Sequence, residues 1–142
     1  MSGPVRILLV EDNEGDVEMT QRALRDGKPE CDLAVANDGV AALEYLAKSA
    51  APAEGGMPRL ILLDLNMPRM DGKRFLESVK ADPHLKAIPV VMLTSSESPA
   101  DIRACYERQA SCYVVKPFDG REFANAVRQI VTFWGTLARP PA

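Results

Sequence analysis

The feature that most constrains this chain is a rhythm in which short apolar runs alternate with longer amphipathic stretches. Val5 to Val10 (VRILLV) and Leu60 to Leu63 (LILL) are β-branched and leucine runs with almost no polar interruption. Runs of this kind are the signature of parallel strands covered on both faces. Pro89 to Leu93, ending at Thr94, and Cys112 to Val115, stopped by Lys116-Pro117, repeat the pattern, and Leu33 to Ala36 is a weaker version of it. Between the runs, Glu14 to Arg25 places Val17, Thr20, Ala23 and Leu24 at helical spacing, with Asp26-Gly27 as the stop. Ala41 to Ala47 is expected to be a helix that buries Leu43 and Leu46 behind a cap at Asn37 or Asp38. Gly72 to Lys80 turns Phe75, Leu76 and Val79 inward, and a helix starting near Pro99 carries Ile102 and Cys105 or Tyr106. Asp119 caps a last helix whose stripe is Phe123, Val127, Ile130, Val131 and Trp134. Ala50 to Met57, rich in Ala, Pro and Gly, is a loop. Strands alternating with helices imply βαβ units. Right-handed crossovers then force a mainly parallel sheet with helices on both faces, a three-layer α/β/α domain.

Composition narrows the function classes. With 142 residues, 46% of them apolar, the chain can bury one core and leaves no room for a second domain. No apolar run approaches the roughly 20 residues that span a bilayer, and Met1 to Pro4 lacks the pattern of a signal peptide, so a cytoplasmic location is expected. Cys31, Cys105 and Cys112 are odd in number and form no close metal-binding pair, which leaves buried, reduced thiols as the expectation. A net charge of -3 argues against a nucleic-acid surface and for protein partners.

The polar residues carry the chemistry. Glu11-Asp12, Asp64, Thr94 and Lys116 fall just beyond the carboxyl ends of the first, third, fourth and fifth predicted strands, the edge where open α/β sheets bind ligands. Three carboxylates gathered there would repel one another, so a cation must share the site. Hard oxygen ligands suit Mg²⁺, and Mn²⁺ can take its place. Thr94 adds a hydroxyl and Lys116 a positive point charge, both suited to a phosphoryl group. A carboxylate can attack phosphorus to give an acyl phosphate, and Asp64 is the central candidate.

With these residues in place the chain resembles the receiver domains of bacterial two-component response regulators from Val5 to about Trp134. The resemblance rests on Ile7-Leu8-Leu9-Val10-Glu11-Asp12-Asn13, on Leu63-Asp64-Leu65-Asn66-Met67-Pro68 followed by Met70-Asp71-Gly72, on Leu93-Thr94-Ser95, and on Tyr113-Val114-Val115-Lys116-Pro117-Phe118. It implies a flavodoxin-like receiver fold with strand order 2-1-3-4-5, a single domain over 1–142 with its core at 5–134 and a short tail at 135–142. It also implies a phosphorylation-dependent switch of a phosphorelay, loaded by a sensor histidine kinase with Mg²⁺. Asp64 becomes the phosphoacceptor and Asp12 a metal ligand. Glu11 would act through a metal-bound water, and Asn66 would give its backbone carbonyl to the metal. Thr94 would close onto the phosphoryl group, Lys116 would pair with it, and Tyr113 would be the rotating aromatic. A cis peptide is implied at Lys116-Pro117, aiming the ammonium into the site. Glu11 to Asp16 (EDNEGD) and Phe133-Trp134 are similar to the short receivers paired with bacteriophytochromes, some of which dimerise through the carboxyl-terminal face. A homodimer through helix 4, strand 5, helix 5 and the tail is therefore a candidate assembly. Output is expected by protein contact or onward phosphotransfer.

Each assignment has a plainer competitor. Alone, Asp64 would read as a turn former, Glu11-Asp12 as a solvated turn, Thr94 as a cap and Lys116 as a surface charge; their convergence in one crevice reverses that. Tyr113 could be simple core, and His84, after Asp82-Pro83, reads as a solvated loop residue. Lys73 and Arg74 read as a solvated face. Phe133, Trp134 and Leu137 are candidates for a partner surface beyond the core stripe. A phosphate-independent scaffold would lack an acid, Thr94 or Lys116, and this chain keeps them all. A flavin-binding relative of the fold would need a glycine- and hydroxyl-rich phosphate cradle where Glu11, Asp12 and Glu14 stand. An aspartyl-nucleophile phosphatase would want an acid where Asn66 stands. The chain is accordingly read as no conventional enzyme, but as a protein that promotes its own aspartyl phosphorylation and dephosphorylation.

Overall fold

The computed structural model describes residues 3–25, 27–49 and 56–140. Among them β1 (Val5–Val10), α1 (Glu14–Arg25), β2 (Cys31–Ala36), α2 (Gly39–Ser49), β3 (Leu60–Leu63), α3 (Gly72–Ala81), β4 (Val90–Thr94), α4 (Pro99–Glu107), β5 (Cys112–Val115) and α5 (Gly120–Thr132) alternate as expected. The strands form one parallel five-stranded sheet in the order β2-β1-β3-β4-β5. The stop assigned to Asp26 and most of the loop assigned to 50–57 lie outside the described residues.

Burial of the sheet on both faces follows from the side-chain alternation of each strand. Leu8, Val10, Ile61, Leu63, Val90 and Met92 pack with Leu46 of α2, Phe75, Leu76 and Val79 of α3 and Cys105 of α4. Ile7, Leu9, Leu60, Leu62, Val91 and Leu93 point the other way, against Ala23 and Leu24 of α1 and Phe123, Val127, Ile130 and Val131 of α5. All four residues of β3 are completely buried, so this strand has no polar outlet before its carboxyl tip. β2 begins two residues earlier than the apolar run suggests, because an edge strand tolerates the exposed Asp32.

Helix ends carry the caps their sequences offer. Asp38, rather than Asn37, accepts the Ala41 amide at the start of α2. Asp71 accepts from Arg74 N–H, Ser98 from Asp101 N–H with Pro99 in the first turn, and Asp119 from Arg121 N–H. Cys105 rather than Tyr106 is the core residue of α4, Tyr106 being 49% exposed. Leu43 is only half-buried, Ala42 and Leu46 carrying the contact of α2. Of the three free thiols only Cys105 is buried; Cys31 and Cys112 lie on the two edge strands and are part-exposed, which corrects the expectation of three interior cysteines. Past α5 the chain continues into a π-helical turn, Phe133–Leu137. Gly135 there sits against Val5, while Phe133 and Leu137 stay 47% and 71% exposed. Trp134 packs on the core and stacks edge-on to Phe133 at 5.1 Å.

One glycine fixes the loop after β3. Gly72 N–H donates to Leu65 O at 2.8 Å, and a Cβ at Gly72 would overlap the Asp64 carbonyl oxygen. Gly72→Ala is therefore expected to destabilise the fold by about 1–3 kcal/mol, the usual cost of overpacking. Gly120→Ala, with open space around it, should change stability by less than about 0.5 kcal/mol. Urea denaturation midpoints of the two variants check the contrast.

Candidate functional site

The sheet order reverses between β1 and β3: the chain steps from β1 outward to β2, then back across to β3. A crevice therefore opens at the carboxyl ends of those two strands. Asp64 N–H donates to Val10 O at 3.0 Å and Glu11 N–H to Ala36 O at 2.9 Å, which extends the ladder just far enough to hold both acids at the tip. One carboxylate oxygen from each of Glu11, Asp12 and Asp64 lies within 4.8 Å of the others. Glu11 and Asp64 are buried, and Asp12 is exposed at the mouth.

Lys116 enters from β5. Its amide donates to Thr94 O at 2.8 Å, and its nearly buried ammonium donates to Glu11 Oε1 at 2.7 Å and Asp16 Oδ2 at 2.6 Å. Asp64 Oδ2 is 3.7 Å from the same nitrogen. The expected cis bond is not present. Lys116-Pro117 is trans, and among the described residues the cis peptide is Lys28-Pro29. The trans bond is the intrinsically favoured form, and the strand-anchored lysine already reaches the acids with it.

The electrostatics follow from this crowding. Burial is the largest influence on Glu11 and raises its pKa, the Lys116 hydrogen bond opposes it, and the charge of Asp64 adds to the rise. The result is about 7. Burial alone would lower the pKa of Lys116, but hydrogen bonds to Asp16 and Glu11 and the charge of Asp64 outweigh it and leave it raised. The donor set, three carboxylates and no nitrogen or sulfur ligand, fits a hard divalent cation. Asn66 lies exposed two residues past Asp64, beside a 60 Å³ cleft lined by Leu65, Asp71, Lys73 and Asp101.

Thr94 is 1% exposed at the end of β4, in register with Val115 of β5. Tyr113 is half-buried against the core, and its hydroxyl donates to Ser96 O at 2.8 Å. The structure thus gathers Glu11, Asp12, Asp64 and Lys116 directly and sets Thr94 and Tyr113 along the neighbouring strand pair. His84 is exposed, as expected. Asp16 is the site residue that the sequence reading passed over; its place in the acidic first turn of α1, directly after Glu11-Asp12, was the available signal. Lys73 is not simply solvated, since it pairs with Asp101 at 2.9 Å.

A doubly wound sheet with an acid cluster and a strand-end lysine at its switch point is the arrangement expected of a receiver domain. The sequence matches the family described as response regulator receiver domain over residues 7–128, and the chain belongs to that family, which makes it a phosphorylation-dependent signalling domain of two-component systems. It is similar to response regulator Rcp1 of Synechocystis sp., with 37% identity over 98% of this chain and 95% of that protein. The crystal structure of the phosphorylated cyanobacterial phytochrome response regulator RcpA superposes with a TM-score of 0.90 at 36% identity, covering 99% of this chain and 100% of that one. The Mn²⁺-bound form of Rcp1 gives 0.87 at 38% identity over 98% and 100%.

A prediction follows from Glu11. The unfolded chain ionises it near 4.5 and the folded one near 7, so between those values the folded state holds the extra proton and this group makes stability fall as pH rises. In chelator, the urea midpoint should decline from pH 5 to pH 7.5, and a millimolar divalent cation should cancel most of the decline. A Glu11→Gln variant with the same slope as the parent would contradict the assignment.

Proposed function

We propose that the chain, as a single receiver domain over 1–142, takes a phosphoryl group on Asp64 from a sensor histidine kinase, one of the phytochrome type. The observation that carries the reading is the meeting of the Glu11, Asp12 and Asp64 carboxylates within 4.8 Å, with the Lys116 ammonium 3.7 Å from Asp64. An Asp64 oxygen forms the new bond to phosphorus as the donor's phosphorus–nitrogen bond, or the phosphorus–oxygen bond of acetyl phosphate, breaks. Asp12, Asp64 and the Asn66 backbone carbonyl would hold Mg²⁺, or Mn²⁺, and Glu11 would act through a water. When bound, the ion neutralises charge on the transferring phosphoryl oxygens.

Lys116 turns from Asp16 and Glu11 toward the phosphoryl group, and the Thr94 hydroxyl closes onto it. Tyr113 then moves into the space Thr94 leaves, which remodels the surface of α4, β5 and α5. The protein is not a conventional enzyme: its own residues promote the gain and the slow loss of one phosphoryl group. The signal leaves by protein contact or onward phosphotransfer, in the cytoplasm. No helix among the described residues is long and apolar enough to cross a membrane. The exposed Phe133 and Leu137 favour a homodimer that includes the carboxyl-terminal face.

Labelled acetyl phosphate with Mg²⁺ should place one hydroxylamine-labile phosphoryl group on each chain. Asp64→Asn should abolish the label, and Lys116→Met should slow its uptake by about 10²-fold, the scale of a lost charge-stabilising group. Label persisting in Asp64→Asn would refute the assignment. Solution mass with and without beryllofluoride tests the assembly, a dimer being expected and a monomer in both states contradicting it.

A further inference from the structure

The loop between β4 and α4 is held at one residue from two sides. Ser96 Oγ donates to Asp101 Oδ2 at 2.6 Å, and the other oxygen of Asp101 accepts from Lys73 Nζ at 2.9 Å. Lys73 is the second residue of α3 and Asp101 lies in the first turn of α4, so the chain of bonds runs from α3 through α4 to the loop. On the opposite side the Tyr113 hydroxyl donates to the Ser96 carbonyl at 2.8 Å. The Ser98 amide also donates to Ser96 Oγ, at 3.3 Å, and the Ser98 hydroxyl caps α4 at Asp101 N–H. Ser96 is thus fixed by its side chain and its backbone at once, two residues after Thr94.

Closure of Thr94 onto a phosphoryl group at Asp64 would pull on the residues that follow it. We infer that Asp101, clamped by Lys73, is a positioning residue that holds Ser96 and thereby keeps the Thr94 loop in its unphosphorylated arrangement. The inference rests on the reading of Asp64 as phosphoacceptor and adds to it the groups that set the resting bias of the switch. The charged acceptor gives the Ser96 bond its strength, and Lys73 keeps that carboxylate turned toward the loop. Hydrogen bonds from Ser96 and Lys73 hold the Asp101 carboxyl below its ordinary pKa, so the acceptor stays charged at neutral pH.

A latch of this kind is a free-energy difference between two states, so removing it must strengthen whatever binds the second state. Beryllofluoride with Mg²⁺ is the probe, and its affinity is measured for the parent chain and for Lys73→Met, Ser96→Ala and Asp101→Asn. Each variant should bind it about five-fold more tightly or better. The Lys73→Met/Ser96→Ala double variant should gain no more than the larger single, because both act through one chain of bonds. Lys73→Arg, which keeps the ion pair, should restore parental affinity. A role confined to stability would lower the urea midpoint and leave the affinity unchanged, and that result, or weaker binding in the variants, overturns the inference. Failure of the parent chain to bind beryllofluoride would instead overturn the Asp64 reading together with it.

Discussion

The structure turns on a charge imbalance at one end of the sheet. Glu11 and Asp64 are buried side by side with Asp12 at the mouth, and the ammonium that meets them is the Lys116 Nζ, bonded to Glu11 and Asp16 and standing off from Asp64. Like charges at such spacing are costly at the low effective dielectric of a partly buried crevice. Glu11 has a raised pKa, chiefly because it is buried, with the charge of Asp64 adding to the rise and the Lys116 hydrogen bond opposing it. A divalent cation at these carboxylates would offset that cost, and Lys116 has two hydrogen-bonded partners, Glu11 and Asp16, of similar geometry. A group poised in this way can be redirected by one new anion without rebuilding the fold.

The rest of the molecule explains why the acids stay where they repel. A sheet buried on both faces has few places for polar groups, and the strand tips at the switch point between β1 and β3 are the outlet. The Asp64 amide is tied to β1 and the Glu11 amide to β2, so neither acid can retreat without breaking the ladder. Gly72 lets α3 start directly under the Asp64 carbonyl, which closes the floor of the loop. By contrast, the loop after β4 is tied by side chains: the Tyr113 hydroxyl donates to Ser96 O, and Ser96 Oγ donates to Asp101.

Much of this was legible before any coordinates, for reasons that differ by residue. β3 and β4 are continuous buried runs and β1 is one apart from Arg6, the pattern of strands covered on both faces. Asp38 and Asp119 cap helices because their side chains reach an amide two or three residues on, a purely local event. The site acids, Thr94 and Lys116 were legible because each follows a strand, so the topology alone brings them to one edge. Contacts between distant segments were not. Lys116 with Asp16 is a pairing across 100 positions and Lys73 with Asp101 across 28, and nothing local marks either lysine's partner. The isomer of Lys116-Pro117 was also misjudged: a motif implied cis, and the bond is trans. Cys31 and Cys112 were placed inside by residue type, whereas their edge strands leave them part-exposed.

The central claim is that the acids at the tips of β1 and β3 share one divalent ion. Electron paramagnetic resonance of Mn²⁺ titrated into the protein counts bound ions directly. The account predicts a single tight ion per chain, released by excess Mg²⁺ and lost on Asp12→Asn. Several weak ions, or one that survives that substitution, would contradict it.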